Sequence, residues 1–188
     1  ERSEMDEIQN RNGRAANALF NDNRLKLGLF GLNVSNGCAI TTAEGHLEMT
    51  WPNTLEICRL ADRYGYEALV PVARWRGFGG VTNFNGTCFE TYTWAAGIGQ
   101  ATERATVLTT SHVPTVHPIM AAKQAATVDH ITGGRFALNI VCGWNQDEFD
   151  VHGVTIDAEH RYDQGLEWFK IYAKLLEGGP PFDWDGTY

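Results

Sequence analysis

The residues able to do chemistry in this chain are few, and they sit near the ends of apolar runs. Asn139 lies inside RFALNIVC (135–142), and Glu148 follows that run past Gly143 and Trp144. Thr109 and Thr110 stand late in ATVLTTS (105–111), and Arg161 and Tyr162 open an amphipathic segment. An amide in an apolar run either bonds a neighbouring strand or forms the wall of a ligand site, because an unpaired one is strongly unfavourable. On spacing alone the strand partner is the simpler account. Thr109 and Thr110 are β-branched strand formers whatever else they do. Glu148 is a lone loop acid, which solvent alone would explain. Arg161 stands at a helix start, where a cation opposes the dipole unless an anion binds there as well. A surface pairing with Asp157 or Glu159 is again the simpler account.

Other recognisable chemistries find little support. RWRGFGG (74–80) is glycine-rich, yet no Gly-Lys-Ser/Thr follows it as a P-loop requires. GLFGLNVSNG (28–37) misses the dinucleotide fingerprint, and a polar loop stands where its helix should begin. Of the six histidines, His112 and His117 share one loop and His152 and His160 another. None has the spacing of a helical zinc pair, so no metal is assigned. No Gly-x-Ser-x-Gly or Cys-His nucleophile stands out. A cofactor is therefore the expected source of reactivity.

The chain has 188 residues, 43% of them hydrophobic, which is enough for one domain with a core. Its net charge of −8 carries no basic block, so a nucleic-acid surface is not expected. No apolar run approaches a membrane span of roughly 20 residues, and the N-terminus lacks the pattern of a signal peptide. Cys38, Cys58, Cys88 and Cys142 form no C-x-x-C pair, which suits a reduced, cytoplasmic chain.

The elements that must position the candidate residues alternate strand with helix. Residues 1–23 read as a polar arm, partly helical around Ala15 to Phe20, that the core does not need. A strand over 25–33 precedes a helix that opens at Pro52, carries Leu55, Cys58 and Ala61, and closes at Gly65. The second strand spans 67–73. Thr87 and Glu90 have capping-box spacing and predict a helix running to about Thr102. The third strand is 105–111, and a helix follows from Pro118 to Gly133-Gly134. After the fourth strand (135–142) comes a helix with the stripe Tyr162, Leu166, Phe169, Ala173 and Leu176. Strands spaced by helices, with near-continuous apolar runs, predict an α/β fold with a parallel sheet. Long polar loops after strands one, two and four favour a (β/α)₈ TIM-barrel type, of which this chain holds about the first four βα units.

Several stretches together carry a family likeness. LVPVARWRGFGG (69–80), HPIMAAKQAATVDHITGGRFALNIVCGW (117–144), DEF (147–149) and HRYDQGLEWF (160–169) resemble the bacterial luciferase-like family of flavin-dependent monooxygenases. Within it they are similar to the branch of pyrimidine, dimethylsulfone and alkanesulfonate monooxygenases. The resemblance covers about residues 25–188, and its most specific part joins A-T-V-D-H-I-T-G-G-R to N-I-V-C-G. It implies a (β/α)₈ barrel with FMN at the strands' C-terminal ends. A separate NAD(P)H-dependent flavin reductase would supply the reduced FMN, which reacts with O₂ to a peroxide that oxygenates a small organic substrate. Carried over by motif, Asn139 would lie beside the flavin ring, and Thr110 would help shape the oxygen pocket. Ala73 and Arg74 would flank the ring, Glu148 would hold a polar group of the flavin, and Arg161 with Tyr162 would reach its ribityl or phosphate part. Trp75, Phe78 and Trp144 would close a dry pocket over it, or serve as ordinary loop anchors.

Residues 24–188 therefore read as the N-terminal half of such a barrel, belonging to a longer, cytoplasmic homo-oligomer with no nucleic-acid or membrane partner. Two other readings stay open: a deazaflavin (F420)-dependent oxidoreductase of the same superfamily, and a non-catalytic half-barrel that binds or assembles.

Overall fold

The structure, a computed structural model, describes residues 17–188. In chain order it contains β1 (Gly28–Phe30), α1 (Trp51–Arg63), β2 (Ala68–Val70), α2 (Thr91–Ala101), β3 (Thr106–His112), α3 (Pro118–Thr132), β4 (Phe136–Val141), α4 (Gln146–Phe149) and α5 (Arg161–Glu177). Local punctuation set most helix boundaries. Pro52 and Pro118 sit in the first turns of α1 and α3, where a missing N–H leaves no bond unmade. Gly133 ends α3 in the left-handed conformation, at φ 65°.

The four strands lie in the order β1-β2-β3-β4, every pair parallel, as βα units require. β2 stops at Val70 because Pro71 has no N–H to continue the ladder. Side chains alternate across the sheet. Leu69 and Val107 point to one face and pack with Cys58, Trp94, Ile98 and Val128 from the helices. A second cluster joins Tyr92, Ala121, Ala125, Trp168 and Tyr172. Thr106, Leu108, Thr110 and His112 take the opposite face, as does Asn139, the register partner of Thr110. The two outer strands are the less covered part of the sheet: every residue of β4 is only half-buried, and Phe30 of β1 is 54% exposed.

Two expectations about helices fail for tertiary reasons. Thr87 does not cap α2. Glu90 does, its carboxylate accepting from the N–H groups of Tyr92 and Thr93 at 3.0 and 2.7 Å. Residues 87–89 are drawn away to pair with the loop after β1, through Ser35, Asn33 and a Val34–Cys88 bridge. The α5 stripe Tyr162–Leu166–Phe169–Leu176 is the exposed face, not the packed one. α5 buries Gly165, Trp168 and Tyr172 instead. The Trp168 and Tyr172 rings stack at 5.3 Å, and Trp168 Nε1 donates to the Val116 carbonyl at 2.6 Å. Gly165 admits this approach, since a Cβ there would stand 2.4 Å from Cys142 Sγ.

Most of the expected arm lies outside the described residues. Its end, however, is tied to the sheet. Thr106 Oγ1 donates to Asn17 Oδ1 at 2.6 Å, and Asn17 Nδ2 donates to the Phe136 carbonyl at 3.3 Å. Asn21 and Asn23 donate to Glu67, which also accepts the Leu27 N–H at 2.8 Å. The sheet thus uses this end of the arm, contrary to the expectation that the core does without it. Ala18–Phe20 form one 3₁₀ turn, all that is described of the helix expected around Ala15 to Phe20.

Candidate active site

The C-terminal tips of β2, β3 and β4 carry a chain of polar groups whose hydrogens can be assigned by elimination. Thr110 Oγ1 lies 2.6 Å from the Pro71 carbonyl, which can only accept, so the hydroxyl donates there. Asn139 meets the same oxygen at 3.2 Å and must therefore present its Nδ2. The amide's orientation follows, with Oδ1 left as an acceptor at the strand tips. Thr91 Oγ1, at the start of α2, holds the Thr110 carbonyl at 2.8 Å. Asn139 is thus a strand partner with an acceptor to spare, so the two accounts of an amide in this strand do not exclude each other.

Beside this chain the loop after β2 is bolted to the loop after β4. Arg74 donates Nη1 to Glu148 Oε2 at 2.7 Å, and the Trp75 N–H donates to Oε1 at 2.8 Å. Glu148 is 1% exposed. Burial raises its pKa above the ordinary carboxylate value, against the pull of the Trp75 N–H, Arg74 and His152. The Arg74 guanidinium lies over the rings of Phe78 (4.8 Å) and Trp144 (5.7 Å). Those rings stack on each other at 6.4 Å, and Trp75 meets His152 edge-on at 4.9 Å. Five aromatic or basic side chains from the two loops therefore gather at the top of the sheet.

Under this roof lies a cavity of about 230 Å³ whose lining includes Ala73, Arg74, Tyr92, Thr110 and His112. Asn139 adjoins it through Thr110, and Glu148 stands behind Arg74. Arg161 and Tyr162 are not brought to it. Tyr162 is 67% exposed, the Arg161 guanidinium lies 4.9 Å over its ring, and the Arg161 charge is felt at Cys142, past the end of β4. His112 was missed as a site residue. It falls two positions after Thr110, on the same face of β3, and is 4% exposed. Burial, with the charges of Arg74 and His152, lowers its pKa to about 4, so the ring is neutral at pH 7. Among the described residues no cluster of three or more His, Cys, Asp or Glu could hold a metal ion, and no helix is long and apolar enough to cross a membrane.

A parallel α/β sheet with alternating helices and polar groups gathered towards the strand tips matches part of a (β/α)₈ scaffold. Residues 27–188 match the family model for luciferase-like monooxygenases, and the chain belongs to that family. It is 32% identical over 167 residues to the pyrimidine monooxygenase RutA of Caulobacter sp. (strain K31), covering 87% of this chain and 47% of that protein. The RutA of Enterobacter sp. (strain 638) is also 32% identical over 167 residues. The chain spans about half the length of these curated relatives. Among solved structures, the EDTA monooxygenase EmoA from Chelativorans sp. BNC1 superposes with a TM-score of 0.71 at 21% identity, over 81% of this chain and 38% of that one. An F420-dependent secondary alcohol dehydrogenase gives a TM-score of 0.70 at 19% identity, over 87% of this chain and 45% of that one. These two likenesses establish the fold alone. The curated relatives are monooxygenases, and the family is one of oxidoreductases.

Proposed function

We propose that this chain is the N-terminal half of a (β/α)₈ flavin-dependent monooxygenase, which uses reduced FMN and O₂ on a small organic substrate. A separate NAD(P)H-dependent flavin reductase, a cytoplasmic setting and a homo-oligomeric assembly complete the reading. The observation that carries it is the Asn139–Thr110–Pro71 chain near the C-terminal ends of parallel strands, which commits the Asn139 amide nitrogen and leaves its oxygen as the acceptor.

The residues fit a flavin. Asn139 Oδ1 is an acceptor suited to an N–H of the reduced ring. Ala73 and Arg74 stand at the end of β2 to flank the ring. Glu148 binds Arg74 and the Trp75 N–H, so it acts on a bound flavin by holding the loop that meets it. Arg161 and Tyr162, beyond β4 at the start of α5, would meet the ribityl or phosphate part. When bound, the flavin supplies the two-electron activation of O₂. The chain's own residues orient the ring through Asn139, hold Thr110 beside it as a wall, and exclude water with Trp75, Phe78 and Trp144.

The deazaflavin reading shares this scaffold, as the F420-dependent dehydrogenase shows, and the test separates the two. The complete polypeptide is offered reduced FMN with O₂, or a reduced deazaflavin with a carbonyl acceptor. Oxygen uptake with the first and no hydride transfer with the second is expected. The reverse would move the protein to the deazaflavin enzymes, and inactivity with both would leave a binding or assembly module. Residues 1–188 alone are expected to bind FMN weakly or not at all, and tight stoichiometric binding by that piece would refute the half-barrel reading.

A further inference from the structure

Thr109 stands beside Thr110 late in β3, but the two side chains part. Thr109 and Ser111 share the helix-facing side with Val107, opposite to Thr110 and His112. That side of a covered parallel strand is ordinarily apolar, and the register partners on β4, Leu138 and Ile140, keep to the rule. The two hydroxyl side chains break it while being 0% and 1% exposed. Tyr92, from the first turn of α2 and 4% exposed, meets them there. It is packed among Ala121 and Ala125 of α3 and Trp168 and Tyr172 of α5.

Three buried hydroxyls therefore stand in an apolar layer. Burial raises the Tyr92 pKa and the Ser111 and Thr109 hydroxyls pull it back, which puts both strand oxygens beside the phenol. Yet among the described residues none of the three oxygens has a hydrogen-bond partner. Neighbouring polar groups are spent elsewhere. Trp168 Nε1 donates to the Val116 carbonyl at 2.6 Å, and Thr91 Oγ1 to the Thr110 carbonyl at 2.8 Å. Tyr172, the other phenol of the cluster, is bonded to none of the three.

Rotating the hydroxyls does not close the set. Same-face residues of a strand stand roughly 6.6 Å apart, about twice the length of a hydrogen bond, so Thr109 and Ser111 do not pair with each other. Each can meet only Tyr92, which allows two direct bonds for three hydrogens. One hydrogen is left over in every arrangement, and a buried donor without an acceptor is strongly disfavoured. A single water molecule resolves the count. Its lone pairs take the leftover hydrogen, and its own two hydrogens go to the Thr109 and Ser111 oxygens.

We propose that Tyr92, Thr109 and Ser111 form a buried binding site for one water molecule, which ties the first turn of α2 to the helix-facing side of β3. The site is separate from the strand-tip cavity, whose walls include neither Thr109 nor Ser111, and it does not depend on the flavin reading. Because Thr91 holds the Thr110 carbonyl, adjacent residues of α2 are fastened to β3, one directly and one through the water.

Crystals of the complete polypeptide, diffracting well enough to resolve ordered water, test this directly. A density peak within about 3.2 Å of Tyr92 Oη, Thr109 Oγ1 and Ser111 Oγ is expected. Denaturant melts of Tyr92→Phe, Thr109→Val and Ser111→Ala, singly and together, supply a second readout. Each single change should raise the unfolding constant by about tenfold. The triple change leaves no polar group to hydrate, so its effect should fall at least about tenfold short of the product of the three. Direct bonds among the side chains with no peak, a peak that misses any of the three oxygens, or single effects that simply multiply would overturn the site. The wild-type density decides even where a variant does not fold.

Discussion

Two arginines with largely buried side chains mark the two ends of this sheet. At the N-terminal end of the strands Arg135 makes five hydrogen bonds, to the Thr132, Ala105, Gly99 and Thr102 carbonyls and to Thr102 Oγ1. Beside it Asp62 accepts the N–H groups of Glu103, Arg104 and Ala105. At the C-terminal end Arg74 has one hydrogen-bonded carboxylate, and its Nε is buried without a partner, as is His112 Nδ1. Buried polar groups are normally paired, so an end where every donor is used holds the fold, and an end that leaves some unused is built to meet something else. Barrels divide labour in the same way, with stability at the bottom and chemistry at the top.

The largest expected effect breaks the satisfied end. Arg135→Met strands four carbonyls and the Asp62 charge and should cost about 3–5 kcal/mol in a denaturant melt. The corresponding change at the other end, Arg74→Met with Glu148→Gln, replaces a buried pair by neutral groups. It should stay within about 1 kcal/mol of wild type while FMN binding is lost. Equal destabilisation by both would erase the distinction between the ends.

Acid should separate the ends next. His112 has its folded pKa lowered to about 4, below the ordinary 6.5, chiefly by burial. Its neutral form stabilises the fold fully above pH 6.5, and that contribution is lost as pH falls towards 4, about 3 kcal/mol in all. At the bottom, Glu67 is pushed down to about 2 by the Asn23 amide, the Leu27 N–H and the Asn21 amide. Its contribution is present above pH 4.5 and disappears only as pH falls towards 2. Melts from pH 7 to pH 3 should therefore show the top weakening first, and H112F should flatten the upper part of that profile. A smaller effect is expected of Thr110→Val, which leaves the Pro71 carbonyl unpaired and frees the Asn139 amide. It should lower stability by about 1–3 kcal/mol and lower oxygenation more than FMN affinity.

How much of this was legible in the sequence depended on range. Pro52, Pro118 and Gly133 mark helix ends through their own backbones, so α1 and α3 were readable locally. The strongest family signature, A-T-V-D-H-I-T-G-G-R, was readable as well. Its arginine, Arg135, nevertheless serves the bottom clamp and touches no part of the candidate site. Glu90 was hidden as a cap because residues 87–89 pair with a loop fifty positions away. α5 offers two apolar stripes, and only the Val116 carbonyl and the approach to Cys142 decide which is buried. His112 was missed by a single residue. With strand three ending at Ser111 it belongs to a loop, and with the strand running to His112 the two-residue period places it beside Thr110. Ala73, Arg74, Thr110, Asn139 and Glu148 come together at the strand tips, whereas Arg161 and Tyr162 stand apart.

The most direct measurement is an FMN titration of the complete polypeptide, compared with its Asn139→Ala variant and followed by flavin fluorescence alongside thermal melts. If the amide oxygen at the tip of β4 meets the ring, the variant keeps the wild-type melt and binds FMN about tenfold more weakly. Unchanged affinity in a folded variant would contradict a flavin seated on Asn139.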